Sequence, residues 1–162
     1  LTTAGVVQSS QLFATLDPTT RRITLPDKNA ALITDTVGFI RKLPPTIIRA
    51  FRATLEELDE ASMLLHVVDL SSPDAAEQCR AVEDILTNLN LIDRPRITAL
   101  NKIDLFLSED RTWDEEEALN YLAERPASVE KGTVLISAAN RWGLSELLAL
   151  VSQTLTQTIP SR

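Results

Sequence analysis

Four glycines, Gly5, Gly38, Gly132 and Gly143, are scattered over 162 residues, and no GxxxxGK[ST] pattern can be drawn through them. The chain therefore lacks the glycine-rich loop whose backbone amides cradle nucleotide phosphates. Its one cysteine, Cys79, excludes an internal disulfide, and no Cys/His cluster has metal-ligand spacing. Both absences fit a reducing compartment, with the cytoplasm as the expected location. No apolar run approaches the roughly 20 residues that cross a bilayer. The opening LTTAGVVQSS has neither the basic start nor the apolar stretch of a leader. With 44% hydrophobic and 24% charged residues, the composition is that of a soluble chain of about one domain.

Positive charge is also in short supply, the net charge being −7, but the deficit is uneven. Residues 1–52 hold seven basic groups (Arg21, Arg22, Lys28, Arg41, Lys42, Arg49, Arg52) against three acids, whereas the remainder holds nine against twenty. The early segment can meet the phosphates of a nucleotide or of RNA, or simply present a solvated basic surface.

Apolar segments alternate with helical periodicity. Arg22–Leu25 and Ala30–Thr34 read as short strands joined by Pro26-Asp27-Lys28-Asn29, a polar tetrapeptide suited to a hairpin turn. Met63–Val68, Arg96–Leu100 and Thr133–Ile136 are continuous apolar runs, each ending just before a polar residue, as strands buried on both faces do. Helices are expected over Pro44–Leu58, Ser72–Leu89, Trp113–Ala123 and Leu144–Leu155. In the second of these the apolar positions are Ala76, Val82, Ile85 and Leu89. The class is α/β with a mostly parallel sheet, and ligands of such sheets bind beyond the carboxyl ends of the strands.

Polar signatures sit at those ends. In Asn101-Lys102-Ile103-Asp104, a carboxylate at Asp104 can accept from both the ring N–H and the exocyclic amine of guanine, a two-point match that adenine does not offer. Asn101 would hold the neighbouring loop and the base edge, and the stem of Lys102 would pack on the purine. The plain alternative is a polar βα loop with a helix-capping acid. Ser137-Ala138-Ala139 follows the next apolar run. In Asp35-Thr36-Val37-Gly38, an acid at a strand end can hold Mg²⁺ through water, and Gly38 lets its amide approach a terminal phosphate. A simple strand-to-loop turn would look the same. What raises the value of this motif is Thr15, twenty residues earlier, whose hydroxyl could ligate the same metal. His66, inside MLLHVV, reads as a satisfied core residue of a buried strand, Cys79 as inert, and Trp142 as packing beneath the 137–139 loop.

Together, QLFATLDPTTRR, ITDTVGFIRKLP, FRATLEEL, LLHVVDLSSPD and LNKID resemble the GTPase domain of the HflX family, ribosome-associated translational GTPases, over essentially the whole chain. The resemblance implies a P-loop NTPase-like, doubly wound, mostly parallel sheet with helices on both faces. It implies Thr15 in switch I, Asp35 and Gly38 in switch II, and Mg²⁺ on Thr15 and Asp35. Asn101, Lys102 and Asp104 would give guanine specificity, with Ser137 and Ala138 in the last guanine-contacting loop. It implies GTP and GDP as ligands, the large ribosomal subunit as partner, and no membrane.

Measured against that family, the chain reads as a single incomplete domain, residues 1–162, running from switch I to the C-terminal helix. The first strand, the phosphate loop and the family's N-terminal domain are not in it. In the family fold that strand lies between those ending at Asp35 and Asp69, and without it a gap of roughly 9–10 Å would leave backbone groups unpaired. Such an object is not expected to be a stable monomer. Omission of disordered residues, cleavage, or a segment exchanged from another chain would account for it. The fragment alone is expected to be inactive, and the alternative function is a nucleotide-free module that binds a partner through its basic face. No catalytic residue is identified, because Phe39 occupies the place where Ras-type GTPases carry a water-orienting Gln. An aromatic ring cannot orient water, so Phe39→Ala should leave basal GTP turnover nearly unchanged. A hundredfold loss in single-turnover assays would contradict that reading.

Overall fold

The computed structural model describes residues 19–35, 60–107, 111–124 and 131–158. They fall into two compact units, one drawn from residues up to 61 and from 76–93, the other from 62–75 and from 94 onward.

In the first unit, β1 (Thr19–Thr24) and β2 (Ala30–Asp35) form an antiparallel hairpin in which Thr19 faces Asp35 and Thr24 faces Ala30. The hairpin is as expected, although β1 begins three residues before Arg22. Thr19 and Thr20 are β-branched, and the hydroxyls of Thr20 and Thr34 meet across the strands at 2.9 Å. Side-chain alternation buries Ile23 and, just past the strand, Leu25. The turn is closed by Leu25 and Asn29 in one direction and by Lys28 and Leu25 in the other, both at 2.9 Å. Lys28 takes the left-handed conformation, and Asp27 accepts from the Asn29 amide at 3.0 Å.

Helix α1 (Ala75–Asn88) follows Ser71-Ser72-Pro73-Asp74, where the Ser72 carbonyl accepts from the Ala75 amide at 3.1 Å. Its buried residues are Ile85 and Leu86. Ala76, expected on the apolar stripe, is exposed instead, since one turn of 3.6 residues places the Ile85–Leu86 edge, not Ala76, at the centre of the buried face. The helix ends at Asn90, which adopts φ 58°. Asn90 donates to Thr87 at 3.0 Å and Leu91 donates to Leu86 at 2.8 Å, the paired bonds of a Schellman ending. Leu86 and Leu91 are both buried there.

The second unit holds a parallel sheet in the order β3-β4-β5, with β3 Leu64–Asp69, β4 Arg96–Asn101 and β5 Thr133–Leu135. The register sets Asp69 beside Asn101, so both polar residues emerge at the same carboxyl edge. Met63 lies outside β3, because pairing begins with the Leu64 amide on the Pro95 carbonyl. Helix α2 (Glu115–Ala123) starts two residues after Trp113, since Asp114 is its N-cap and accepts from the Glu117 amide at 2.9 Å. Helix α3 (Leu144–Thr158) packs on β4 and extends three residues beyond Leu155. Ile97, Ala99, Ile103, Ala118, Val134 and Leu147 form the core, each at most 2% exposed. The expected helix over Pro44–Leu58 lies outside the described residues.

Candidate functional site

The carboxyl edge of this parallel sheet brings together segments far apart in sequence. Asn101 ends β4, and its Oδ1 accepts from the Ala138 amide at 3.0 Å, joining the 101–104 turn to the 137–143 loop. That loop is closed on itself. Ser137 and Trp142 exchange backbone hydrogen bonds at 3.1 and 3.0 Å, and the buried Ser137 hydroxyl accepts from the Asn140 amide at 3.1 Å. It is tied to the sheet by the Ile136 amide on the Leu100 carbonyl, 2.9 Å.

Lys102 leaves the strand in the left-handed conformation, φ 69° and ψ 33°, which is uncommon for a residue with a side chain. The chain then forms a 3-10 turn, Ile103–Phe106, anchored by the fully buried Ile103, whose amide donates to the Ile136 carbonyl. Asp104 occupies this turn. Its Oδ1 is buried and finds no hydrogen-bond partner in the protein. A buried acceptor left unpaired carries a penalty of about 1–3 kcal/mol, which a ligand donor can remove.

Two further residues complete the arrangement, and neither was singled out from sequence. Asp69, at the end of β3, accepts from the Lys102 ammonium at 2.7 Å through Oδ2. Its Oδ1 accepts from the Ser71 amide at 3.0 Å and hydroxyl at 2.6 Å. Partial burial opposes ionisation of Asp69, but the hydrogen bonds from Lys102 and Ser71 outweigh it and hold the carboxyl below the usual range. Glu115, at the start of α2, accepts from the Gly143 amide at 2.8 Å and so supports the far end of the loop. An acid directly after an apolar run was a usable signal for Asp69. No local pattern marks Glu115, 28 residues from its partner.

Asn101, Lys102, Asp104, Ser137 and Ala138 are thus gathered in one unit. Asp35 is the exposed last residue of β2, in the other unit. Thr15, Gly38 and Phe39 lie outside the described residues. Among the described residues no group of three or more His, Cys, Asp or Glu side chains could hold a metal, and no helix is long and apolar enough to cross a membrane. His66 sits in β3 and Cys79 in α1, both half-buried.

A family model described as a 50S ribosome-binding GTPase matches residues 1–102. The GTPase HflX of Caldanaerobacter subterraneus subsp. tengcongensis is 42% identical over 155 residues, 96% of this chain and 32% of that protein. That of Escherichia coli K12 is 41% identical over 117 residues, 72% of this chain and 28% of that protein. The chain therefore spans no more than a third of these relatives. Among solved structures, a GTP-binding protein from Sulfolobus solfataricus in complex with GDP superimposes with a TM-score of 0.63 at 28% identity, covering 88% of this chain and 45% of that one. The FeoB G-domain from Methanococcus jannaschii shares the fold, with a TM-score of 0.52 at 19% identity over 87% of this chain and 79% of that one.

Proposed function

The chain belongs to the HflX-type GTPases, with their P-loop NTPase-like α/β fold, and from that membership we propose that the 101–104 turn and the 137–143 loop bind the guanine base of GTP and GDP. The observation that carries this reading is the unpaired, buried Oδ1 of Asp104 beside the Asn101–Ala138 link. A carboxylate there accepts from the ring N–H and the exocyclic amine of guanine, and the fixed loop limits the pocket to a purine of that pattern. Lys102 supplies its aliphatic stem to the ring face, and Ser137 and Ala138 belong to the second guanine-contacting loop.

Thr15, Asp35 and Gly38 are assigned to the phosphate end. A hydroxyl and a carboxylate form a hard oxygen donor set, which suits Mg²⁺; the ion would neutralise charge on the phosphates. Phe39 offers no group to orient water, so hydrolysis depends on help from elsewhere, and the large ribosomal subunit is the partner this reading assigns, reached through the basic early segment. Residues 1–162 are taken as part of one GTP-binding domain, acting in the cytoplasm. Titration of the protein as encoded with a fluorescent GDP analogue tests the reading. Saturable binding that unlabelled GDP displaces and ATP at equal concentration does not is expected. Displacement by both nucleotides, or no binding, would refute the assignment of the guanine pocket.

A further inference from the structure

The Asp69–Lys102 pair joins a strand end to the residue that enters the turn. Lys102 has the most conformational freedom of the side chains in the site, and its backbone stands in a region disfavoured for it. Its ammonium is nevertheless held at 2.7 Å by Asp69. Asp69 is itself fixed from two sides. The β3–β4 register places it beside Asn101, and the Leu70 amide donates to the Asn101 carbonyl at 3.0 Å. Ser71 then orients the carboxylate by two hydrogen bonds to Oδ1, leaving Oδ2 for the lysine.

The side chains of Lys102 and Asp69 are 48% and 38% exposed. An ion pair so open to water contributes little to folding stability. Its effect falls elsewhere. A free four-carbon stem must be ordered when a ligand packs on it, and this ordering subtracts from affinity unless it has been completed beforehand. We propose that Asp69 is a positioning residue for nucleotide binding, which holds Lys102 by its ammonium so that the stem is already placed for the purine face. The proposal rests on the guanine-pocket reading above and adds to it a residue that touches no nucleotide.

Asp69→Asn isolates the effect. The amide keeps an oxygen for Ser71 but sets an NH₂ where Oδ2 accepted from Lys102, so the turn survives and the pairing is lost. Lys102→Met removes the ammonium and keeps an apolar stem. GDP affinity is measured by calorimetry for the unsubstituted protein, both single variants and the double variant, with thermal unfolding alongside. Asp69→Asn should weaken GDP about tenfold with little change in unfolding temperature. In the Lys102→Met background the same substitution should have no further effect, because its route of action is gone. Equal losses in both backgrounds would show that Asp69 acts independently of Lys102, and an unchanged GDP affinity in Asp69→Asn would likewise overturn the proposal. If the unsubstituted protein fails to bind GDP, the pocket assignment falls first and this inference with it.

Discussion

Asp104→Asn should lower affinity for GDP by about a hundredfold to a thousandfold, and the same variant should bind xanthosine diphosphate in its place. Guanine presents two adjacent donors, its ring N–H and its exocyclic amine, to the carboxylate. An asparagine keeps one acceptor and replaces the other with an NH₂, which then faces the amine donor to donor. Xanthine has a carbonyl oxygen in place of that amine, so the pattern becomes complementary again. The loss of one hydrogen bond to a charged group, about 1.5–3 kcal/mol, together with the donor-to-donor clash and the weakening of the bond that remains, accounts for the size of the fall in affinity.

The free protein should respond in the opposite sense. The Asp104 main-chain carbonyl accepts from the Leu107 amide at 3.3 Å, a bond the substitution leaves alone. What changes is the buried Oδ1, which has no partner without ligand. Replacing a carboxylate by a neutral amide lessens the desolvation penalty at that position. The variant is therefore expected to unfold at the same temperature as the parent or slightly above it. Loss of GDP binding accompanied by a marked fall in unfolding temperature would identify Asp104 as a structural residue of the turn. Unchanged GDP affinity would remove it from the pocket.

The parts of the fold that could be read from sequence were those with a local cause. Continuous apolar runs just before Asp69, Asn101 and Ser137 located the parallel strands, although burial on both faces, which such runs suggest, fails in β3, where Val67 is exposed. Pro26-Asp27-Lys28-Asn29 located the hairpin turn, since Asp and Asn side chains bond to nearby amides. The linked pair Asn101 and Ala138, which joins the two loops of the proposed pocket, was reached through motif identity and not through any periodicity. Of the supports behind it, Asp69 left a local signal at the end of an apolar run and Glu115 left none, and the pairing of neither could be read. Lys102 meets Asp69 and Gly143 meets Glu115 only after the chain has folded. Asn90 was missed because the left-handed position ending α1 is held by a residue less diagnostic than glycine.

Gly143→Ala is expected to destabilise the protein by at least about 3 kcal/mol and to lower its unfolding temperature by roughly 10 °C. Two effects combine. Gly143 has φ +68°, a conformation that costs a residue with a Cβ about 1–2 kcal/mol. The larger effect is steric. A Cβ built there lies 2.1 Å from the Leu135 carbonyl oxygen and 3.2 Å from Ile136 Cγ2, and a backbone oxygen cannot rotate away. Leu135 closes β5 in register with Leu100, whose carbonyl takes the Ile136 amide. On the other side, Gly143 donates to Glu115 and its carbonyl accepts from Leu147 at 3.0 Å, the first bond of α3. Relief must therefore break the strand pairing, the Glu115 support or the start of the helix. Gly143→Asn separates the two causes, because asparagine tolerates positive φ but carries the same Cβ. If the collision dominates, both variants fall by similar amounts in thermal unfolding followed by circular dichroism. If the dihedral dominates, asparagine recovers most of the loss and leaves the 137–143 loop able to hold Ala138 against Asn101.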